Sequence, residues 1–83
     1  MRRLTVYSRE ECPLCDELLE QLAPWAQLRG IPLDLIDVDS DPTLTRRYGL
    51  KVPLVDFGGE TVCFGHLDID ALERLCRPGS AQV

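Results

Sequence analysis

The sequence predicts an α/β domain with the element order βαβαββα, in which a four-stranded mixed sheet carries helices on both faces. Three observations predict this fold class. Short apolar, β-branched runs alternate with segments whose leucines recur at helical spacing. A Gly58-Gly59 pair joins the last two apolar runs, as in a two-residue hairpin. The chain has 83 residues, which is enough for one hydrophobic core and too few for two.

The first half of the chain predicts a strand and a long helix. Residues 4–8, LTVYS, alternate apolar and polar side chains and predict the first strand. Leucines at helical spacing predict a helix that begins near Cys12 or Pro13, because proline is well tolerated at the first helical position. Pro24 lies inside this helix and predicts a kink or a short break. Gly30 marks its end.

The second half supplies the remaining elements. We expect a second strand over residues 33–39, a short helix that opens at 40–42 and ends at Tyr48, and strands over 52–57 and 60–64. A last helix covers 67–76. Alternating strands and helices predict parallel strands with right-handed crossovers, and the hairpin adds one antiparallel edge strand. The single domain covers residues 1–83, with a frayed tail at 78–83.

Charge and hydropathy exclude several classes of protein. The net charge of −5 argues against a nucleic-acid binder and against a polybasic membrane-surface module. No apolar stretch reaches the roughly 20 residues of a spanning helix, and the N-terminus lacks a signal-peptide core. We therefore expect a monomer in the cytoplasm, where thiols are kept reduced and structural disulfides are rare.

Cys12 and Cys15 form a CxxC motif just after the first strand. At a helix N-terminus the first thiolate is stabilised by unpaired N–H groups, and the second thiol can attack a disulfide formed at the first. CxxC alone also occurs in metal sites and as ordinary thiols. A zinc site needs about four ligands, and Cys63 and Cys76 do not form a second CxxC. We expect these two to be small apolar fillers of the core.

The charges around the motif oppose one another. Glu10 and Glu11 raise the pKa of Cys12, whereas Arg9, Lys51 and the helix N-terminus lower it. Surface charges are screened by salt. We expect the pKa of Cys12 to be nearer the value of about 7 that is typical of a reducing CxxC dithiol than that of a strong oxidant.

Four features together resemble the glutaredoxin family within the thioredoxin fold: the segments TVYSREECPLC, KVPLV and FGHLDIDAL, and the βαβαββα order. The resemblance covers residue 4 to about residue 77. It implies that Cys12 is the nucleophile and Cys15 the resolving thiol. It also implies a cis bond between Val52 and Pro53, and a substrate- or glutathione-binding surface formed by Arg9, Pro13, Lys51, Val52, Pro53, Gly65, His66 and Asp68.

The sequence departs from the family's pattern at four positions, two on this predicted surface and two in the CxxC segment. Lys51 replaces a threonine, and His66 replaces a glycine that lets glutathione approach the backbone closely. Glu11 stands where an aromatic residue usually precedes the first cysteine. Leu14 stands where tyrosine or phenylalanine is usual. These differences concern glutathione binding more than dithiol chemistry.

Two functions remain open at this point. The first is a thiol–disulfide oxidoreductase that reduces protein or glutathione mixed disulfides and contributes to electron transport and cell redox homeostasis. It would hold no tightly bound cofactor or metal, would use glutathione as reductant or co-substrate, and would draw electrons from a thioredoxin or glutathione reductase system. The second is a redox-inactive adaptor, or a metal or Fe–S carrier, that retains the fold.

Overall fold

A computed structural model describes residues 3–76, without the side chain of Cys76. The predicted element order is confirmed: four strands form one mixed sheet, and three α-helices pack on it. The predicted tail at 78–83, and the prediction that Cys76 fills the core, lie outside what is described. No helix in the described part of the chain is long and apolar enough to cross a membrane.

The sheet has the spatial order β2-β1-β3-β4. Its strands are β1 (Leu4–Ser8), β2 (Leu33–Asp37), β3 (Leu54–Phe57) and β4 (Glu60–Phe64). β1 and β2 are parallel, whereas β3 pairs antiparallel with both β1 and β4. The expectation that the first three strands run parallel is therefore wrong for β3.

The second helix explains the reversed direction of β3. This helix, α2 (Pro42–Tyr48), has only seven residues. Its C-cap, Gly49, accepts a hydrogen bond of 3.1 Å through its carbonyl oxygen from the guanidinium of Arg9, which directly follows β1. Because α2 ends beside the carboxyl end of β1, the chain enters β3 at that end and runs back along β1.

The first helix, α1 (Pro13–Arg29), begins at Pro13 and ends at Gly30 as predicted. It continues through Pro24 without the short break considered above. The residues on either side explain this, because Leu22 and Trp25 are buried in the core and tertiary packing is the main source of helix stability in proteins. Pro24 itself is exposed.

The hydrophobic core lies between α1, α3 (Ile69–Cys76) and one face of the sheet. It contains Leu4, Val6, Leu18, Leu22, Trp25, Ala26, Val55, Phe57, Cys63 and Leu72. Cys63 is 9% exposed, which confirms that it fills the core. On the opposite face, Tyr7 of β1 stacks on Tyr48 of α2 with ring centroids 4.5 Å apart. Helices therefore cover both faces, as predicted.

Side-chain caps shift two boundaries from their predicted positions. β2 stops at Asp37 rather than residue 39, because the Asp37 carboxylate accepts the Asp39 N–H at 2.9 Å and starts a 3₁₀ turn, Val38–Ser40. α3 starts at Ile69 rather than residue 67, because the Asp68 carboxylate accepts the Ala71 N–H at 3.0 Å and so caps the helix.

Two further features concern the hairpin and its first strand. β3 begins at Leu54 rather than residue 52, since Pro53 has no N–H to give to the sheet. Gly58 and Gly59 both have positive φ, as a tight two-residue hairpin turn requires, which confirms the predicted turn.

Candidate active site

Cys12 is the N-cap residue of α1. Its sulfur accepts the Cys15 N–H at 3.2 Å, and its carbonyl oxygen accepts the Asp16 N–H at 3.1 Å. Its backbone is extended, and Pro13 follows in the first helical turn. An N–H group directed at the sulfur, together with the positive end of the helix, favours a thiolate at Cys12.

Cys12 and Cys15 form a disulfide, with their Cα atoms 5.2 Å apart. The two residues differ in exposure: Cys12 is half-buried, whereas Cys15 is 1% exposed. Cys12 can therefore be reached from solvent, whereas Cys15 is shielded from it. This asymmetry agrees with the predicted roles of nucleophile and resolving thiol.

The turn that leads into Cys12 has an unusual backbone at Glu11, whose φ is +55°. Residues other than glycine seldom adopt this left-handed conformation, which costs roughly 1–2 kcal/mol. The turn carries the chain from β1 to α1 and leaves Glu10 and Glu11 exposed beside the cysteines. No pattern in the sequence indicates this conformation.

Arg9 comes just before this turn in the chain. Its guanidinium forms hydrogen bonds within the protein. It donates to the two carboxylate oxygens of Asp39 at 3.1 and 2.8 Å, and to the carbonyl oxygen of Gly49 at 3.1 Å. The hydrogen bond and the charge of Arg9 lower the pKa of Asp39. Arg9 thus joins the segment before Cys12 to the segment that leads to Pro53. Its predicted contact with a ligand stays a prediction.

The bond between Val52 and Pro53 is cis, as the resemblance implied. Pro53 is buried, and its carbonyl oxygen accepts the Gly65 N–H at 2.8 Å. Gly65 has a φ of +82°, a backbone conformation that favours glycine. The backbone is the reason for glycine here, because an added Cβ atom would meet no neighbouring atom. The Lys51 N–H is bonded to the Tyr48 carbonyl oxygen at 2.8 Å. A backbone hydrogen bond therefore joins Pro53 to Gly65, and another ties Lys51 to the end of α2.

His66 and Gly65 form one wall of a groove whose other wall is the start of α1. The groove has a volume of about 180 Å³. Its lining consists of Leu14, Glu17, Leu18, Gln21, Gly65, His66 and Leu67. Because Leu14 lies between the two cysteines in the chain, the groove adjoins the CxxC turn. His66, predicted to be part of the binding surface, is exposed at this groove.

Apolar side chains are exposed next to these segments. Phe64 is 52% exposed, and the ammonium nitrogen of Lys51 lies 5.8 Å from the centroid of its ring. Leu14 is 54% exposed and Leu50 is fully exposed. Leu14, Leu50 and Phe64 thus expose apolar surface beside the CxxC turn, residues 51–53 and Gly65 respectively.

Cys63 and Asp68 have structural roles. Burial raises the pKa of the Cys63 thiol, and a backbone hydrogen bond at Asp68 partly offsets this effect. The Asp68 carboxylate caps α3, as described above, so its predicted contact with glutathione stays a prediction. Among the residues that the structure describes, no group of three or more His, Cys, Asp or Glu side chains is placed to hold a metal ion.

Two residues at this site, Asp39 and Glu17, were missed by sequence reasoning. Asp39 could have been proposed as a partner of Arg9, because the carboxyl ends of two parallel neighbouring strands meet at one edge of a sheet. Leu14 and Glu17 lie three residues apart on α1, and this spacing indicates a shared helix face beside the CxxC motif.

The chain matches one family model, described as "Glutaredoxin-like domain (DUF836)", over residues 3–76. A solution structure of a Nitrosomonas europaea protein is 32% identical, with a TM-score of 0.78 and 89% of each chain covered. An X-ray structure of a protein from X. campestris is 34% identical, with a TM-score of 0.67, 87% of this chain covered and 92% of that chain.

A more distant match concerns the fold alone. Thioredoxin 1 from Thermosipho africanus is 19% identical, with a TM-score of 0.62, 88% of this chain covered and 92% of that chain. The family match and the Cys12–Cys15 disulfide together support a redox-type role for the site.

Proposed function

Because the chain belongs to the glutaredoxin-like domain family, we propose that it is a thiol–disulfide oxidoreductase whose reduced Cys12–Cys15 pair reduces disulfides in other molecules. The observation that carries the proposal is the disulfide itself, formed at the start of α1 between one accessible and one buried cysteine.

The proposed reaction has two exchange steps. The Cys12 thiolate attacks one sulfur of the substrate disulfide, forms a mixed disulfide and releases the first substrate thiolate, which takes up a proton. Cys15 then loses its proton and attacks the Cys12 sulfur, which releases the second substrate thiol. The substrate gains two electrons and two protons, and the protein is left with the Cys12–Cys15 disulfide.

Two structural features support this chemistry. The hydrogen bond from the Cys15 N–H to the Cys12 sulfur favours the thiolate that starts the reaction. The cis Val52–Pro53 segment and Gly65, joined by their backbone hydrogen bond, would present backbone groups to the bound substrate. We assign the contacts of Pro13, Lys51 and His66 with substrate to the same surface.

The substrate is a disulfide in a protein, or a glutathione mixed disulfide, in a reducing compartment such as the cytoplasm. Two of the residues that the resemblance assigns to glutathione already bond within the protein: Arg9 to Asp39, and Asp68 to the Ala71 N–H. This favours protein disulfides over glutathione. Electrons would then return through a thioredoxin reductase system, with the glutathione system as the alternative donor.

A coupled turnover assay tests the proposal. A protein disulfide is supplied together with NADPH and either thioredoxin reductase or glutathione with glutathione reductase, and NADPH consumption is recorded. We expect turnover by the unchanged protein with at least one donor, no turnover by Cys12→Ser, and full turnover by the control Cys63→Ala. Equal rates for the unchanged protein and Cys12→Ser would overturn the proposal, and stoichiometric bound zinc or iron would favour the carrier function instead.

A further inference from the structure

We propose that the substrate disulfide lies in a peptide or protein segment with a lysine or arginine next to its cysteine, and that the groove between α1 and the β4–α3 loop binds this basic side chain. This inference rests on the proposed function, since it names the substrate class of the same site. Three properties of the groove carry it: its position, its lining and its charge.

The groove adjoins the point of attack. Leu14, which lines it, is separated from Cys12 in the chain only by Pro13, and Gly65 on the other wall is hydrogen-bonded to Pro53. A substrate whose sulfur reaches Cys12 would therefore place a neighbouring side chain over the groove. A site for the residue beside the substrate cysteine follows from this position.

The lining suits a long side chain with a charged end. Leu14 and Leu67 supply apolar surface, and Glu17 supplies a carboxylate at the same groove. Lysine and arginine have an aliphatic stem that packs on apolar surface and a cationic end that remains near water or a carboxylate. An acidic side chain would instead bring its charge close to Glu17.

The surrounding charge favours a cation as well. Glu10, Glu11, Asp16 and Glu17 are all exposed around the CxxC turn. Within residues 3–76, none of these four carboxylates has an ion-pair partner. Of the two basic residues placed beside the motif, Arg9 is paired with Asp39, and Lys51 lies over the ring of Phe64. Lys51 alone therefore stands against these four carboxylates. The local field therefore attracts positively charged segments and increases the rate at which they meet the site.

The same field acts against glutathione disulfide. Each glutathione unit carries two carboxylates and one ammonium group, so the disulfide is a net anion at neutral pH. Its approach to the four carboxylates is unfavourable, whereas a lysine- or arginine-bearing disulfide gains from it. The charge around the site thus selects among disulfides without any change in the exchange chemistry.

Three disulfide-linked peptide homodimers test this selection. They have the sequence Ala-X-Cys-Ala, with X as Arg, Gln or Glu. Each is mixed with the pre-reduced protein, the reaction is quenched with acid, and chromatography measures how much peptide has been reduced. At low salt we expect the Arg peptide to be reduced fastest and the Glu peptide slowest, about tenfold apart. At about 0.5 M salt the difference should shrink to about twofold.

Charge reversal on α1 locates the effect. Glu17→Lys should slow reduction of the Arg peptide about tenfold more than it slows reduction of the Gln peptide. Glu20→Lys is the matched control, because Glu20 is exposed on the same helix but does not line the groove. It should change both rates less than twofold.

Two results would overturn the inference. The first is equal rates for the three peptides at low salt, and the second is an equal loss with Glu17→Lys and Glu20→Lys. Failure of the proposed function gives a different pattern, in which no peptide is reduced at all.

Discussion

Arg9 and Asp39 form a two-point ion pair between the segments that follow β1 and β2, with N–O distances of 3.1 and 2.8 Å. The third donor of the guanidinium binds the Gly49 carbonyl oxygen. A single side chain thus fixes the carboxyl ends of two strands and the end of α2 beside the CxxC turn. Lysine could not replace it, because an ammonium group lacks the planar arrangement of donors.

The ion pair makes stability depend on pH. The pKa of Asp39 in the folded protein is lowered, chiefly by the hydrogen bond from Arg9, below its ordinary value of 3.8. The stabilisation is therefore complete above that value and is lost as the pH falls through the lower folded pKa. We expect Asp39→Asn to be less stable than the unchanged protein at pH 7, with the difference disappearing in strong acid.

Urea unfolding followed by circular dichroism between about pH 2 and pH 7 measures this dependence. Glu20→Gln, which removes an exposed carboxylate of α1, is the control and should follow the unchanged protein. An Asp39→Asn curve that runs parallel to that of the unchanged protein down to the lowest pH would show that the pair does not stabilise the fold.

Leu72 anchors α3 in the core. Its side chain is 0% exposed and belongs to the same cluster as Val6 and Val55. Leu72→Ala should lower the free energy of unfolding by about 2–5 kcal/mol, because it removes buried methyl groups and leaves a cavity. Leu28→Ala, at a site 85% exposed, should change it by less than about 0.5 kcal/mol. Similar losses in the two variants would contradict the position of α3.

Glu73 joins α3 to α1 through one carboxylate oxygen. This oxygen accepts the Trp25 indole N–H at 3.1 Å and a guanidinium N–H of Arg29 at 2.9 Å. Glu73→Ala should cost about 1 kcal/mol of stability. It should also alter the fluorescence of Trp25, the single tryptophan of the chain. Glu20→Ala serves as the control, and an unchanged emission spectrum in Glu73→Ala would refute the contact.

Local sequence signals predicted the elements and the CxxC turn well. Pro13 and Gly30 marked the ends of α1, and Gly58-Gly59 marked the hairpin, because these residues act through their own backbone preferences. The resemblance to a known family added the cis Val52–Pro53 bond, whereas the roles it implies for Cys12 and Cys15 stay predictions. These features depend on few residues close together in the chain.

Features that depend on distant contacts were not predicted. The direction of β3 follows from the Arg9–Gly49 contact, between residues 40 positions apart. The continuity of α1 at Pro24 follows from the burial of the residues beside it. The second strand was predicted from alternating apolar residues, yet Leu35 is 57% exposed, because β2 is an edge strand. Periodicity indicates a strand, but its place in the sheet decides which side chains are covered.

Trapping of the reaction intermediate tests the central claim, that Cys12 attacks the substrate and Cys15 resolves the mixed disulfide. Reduced Cys15→Ser is mixed with the Arg-peptide disulfide, and the product is digested without reductant and analysed by mass spectrometry. We predict one peptide per protein, linked to Cys12, and no such adduct in the unchanged protein, where Cys15 releases it. An adduct on Cys63, or a Cys15→Ser protein that forms no adduct, would contradict the claim.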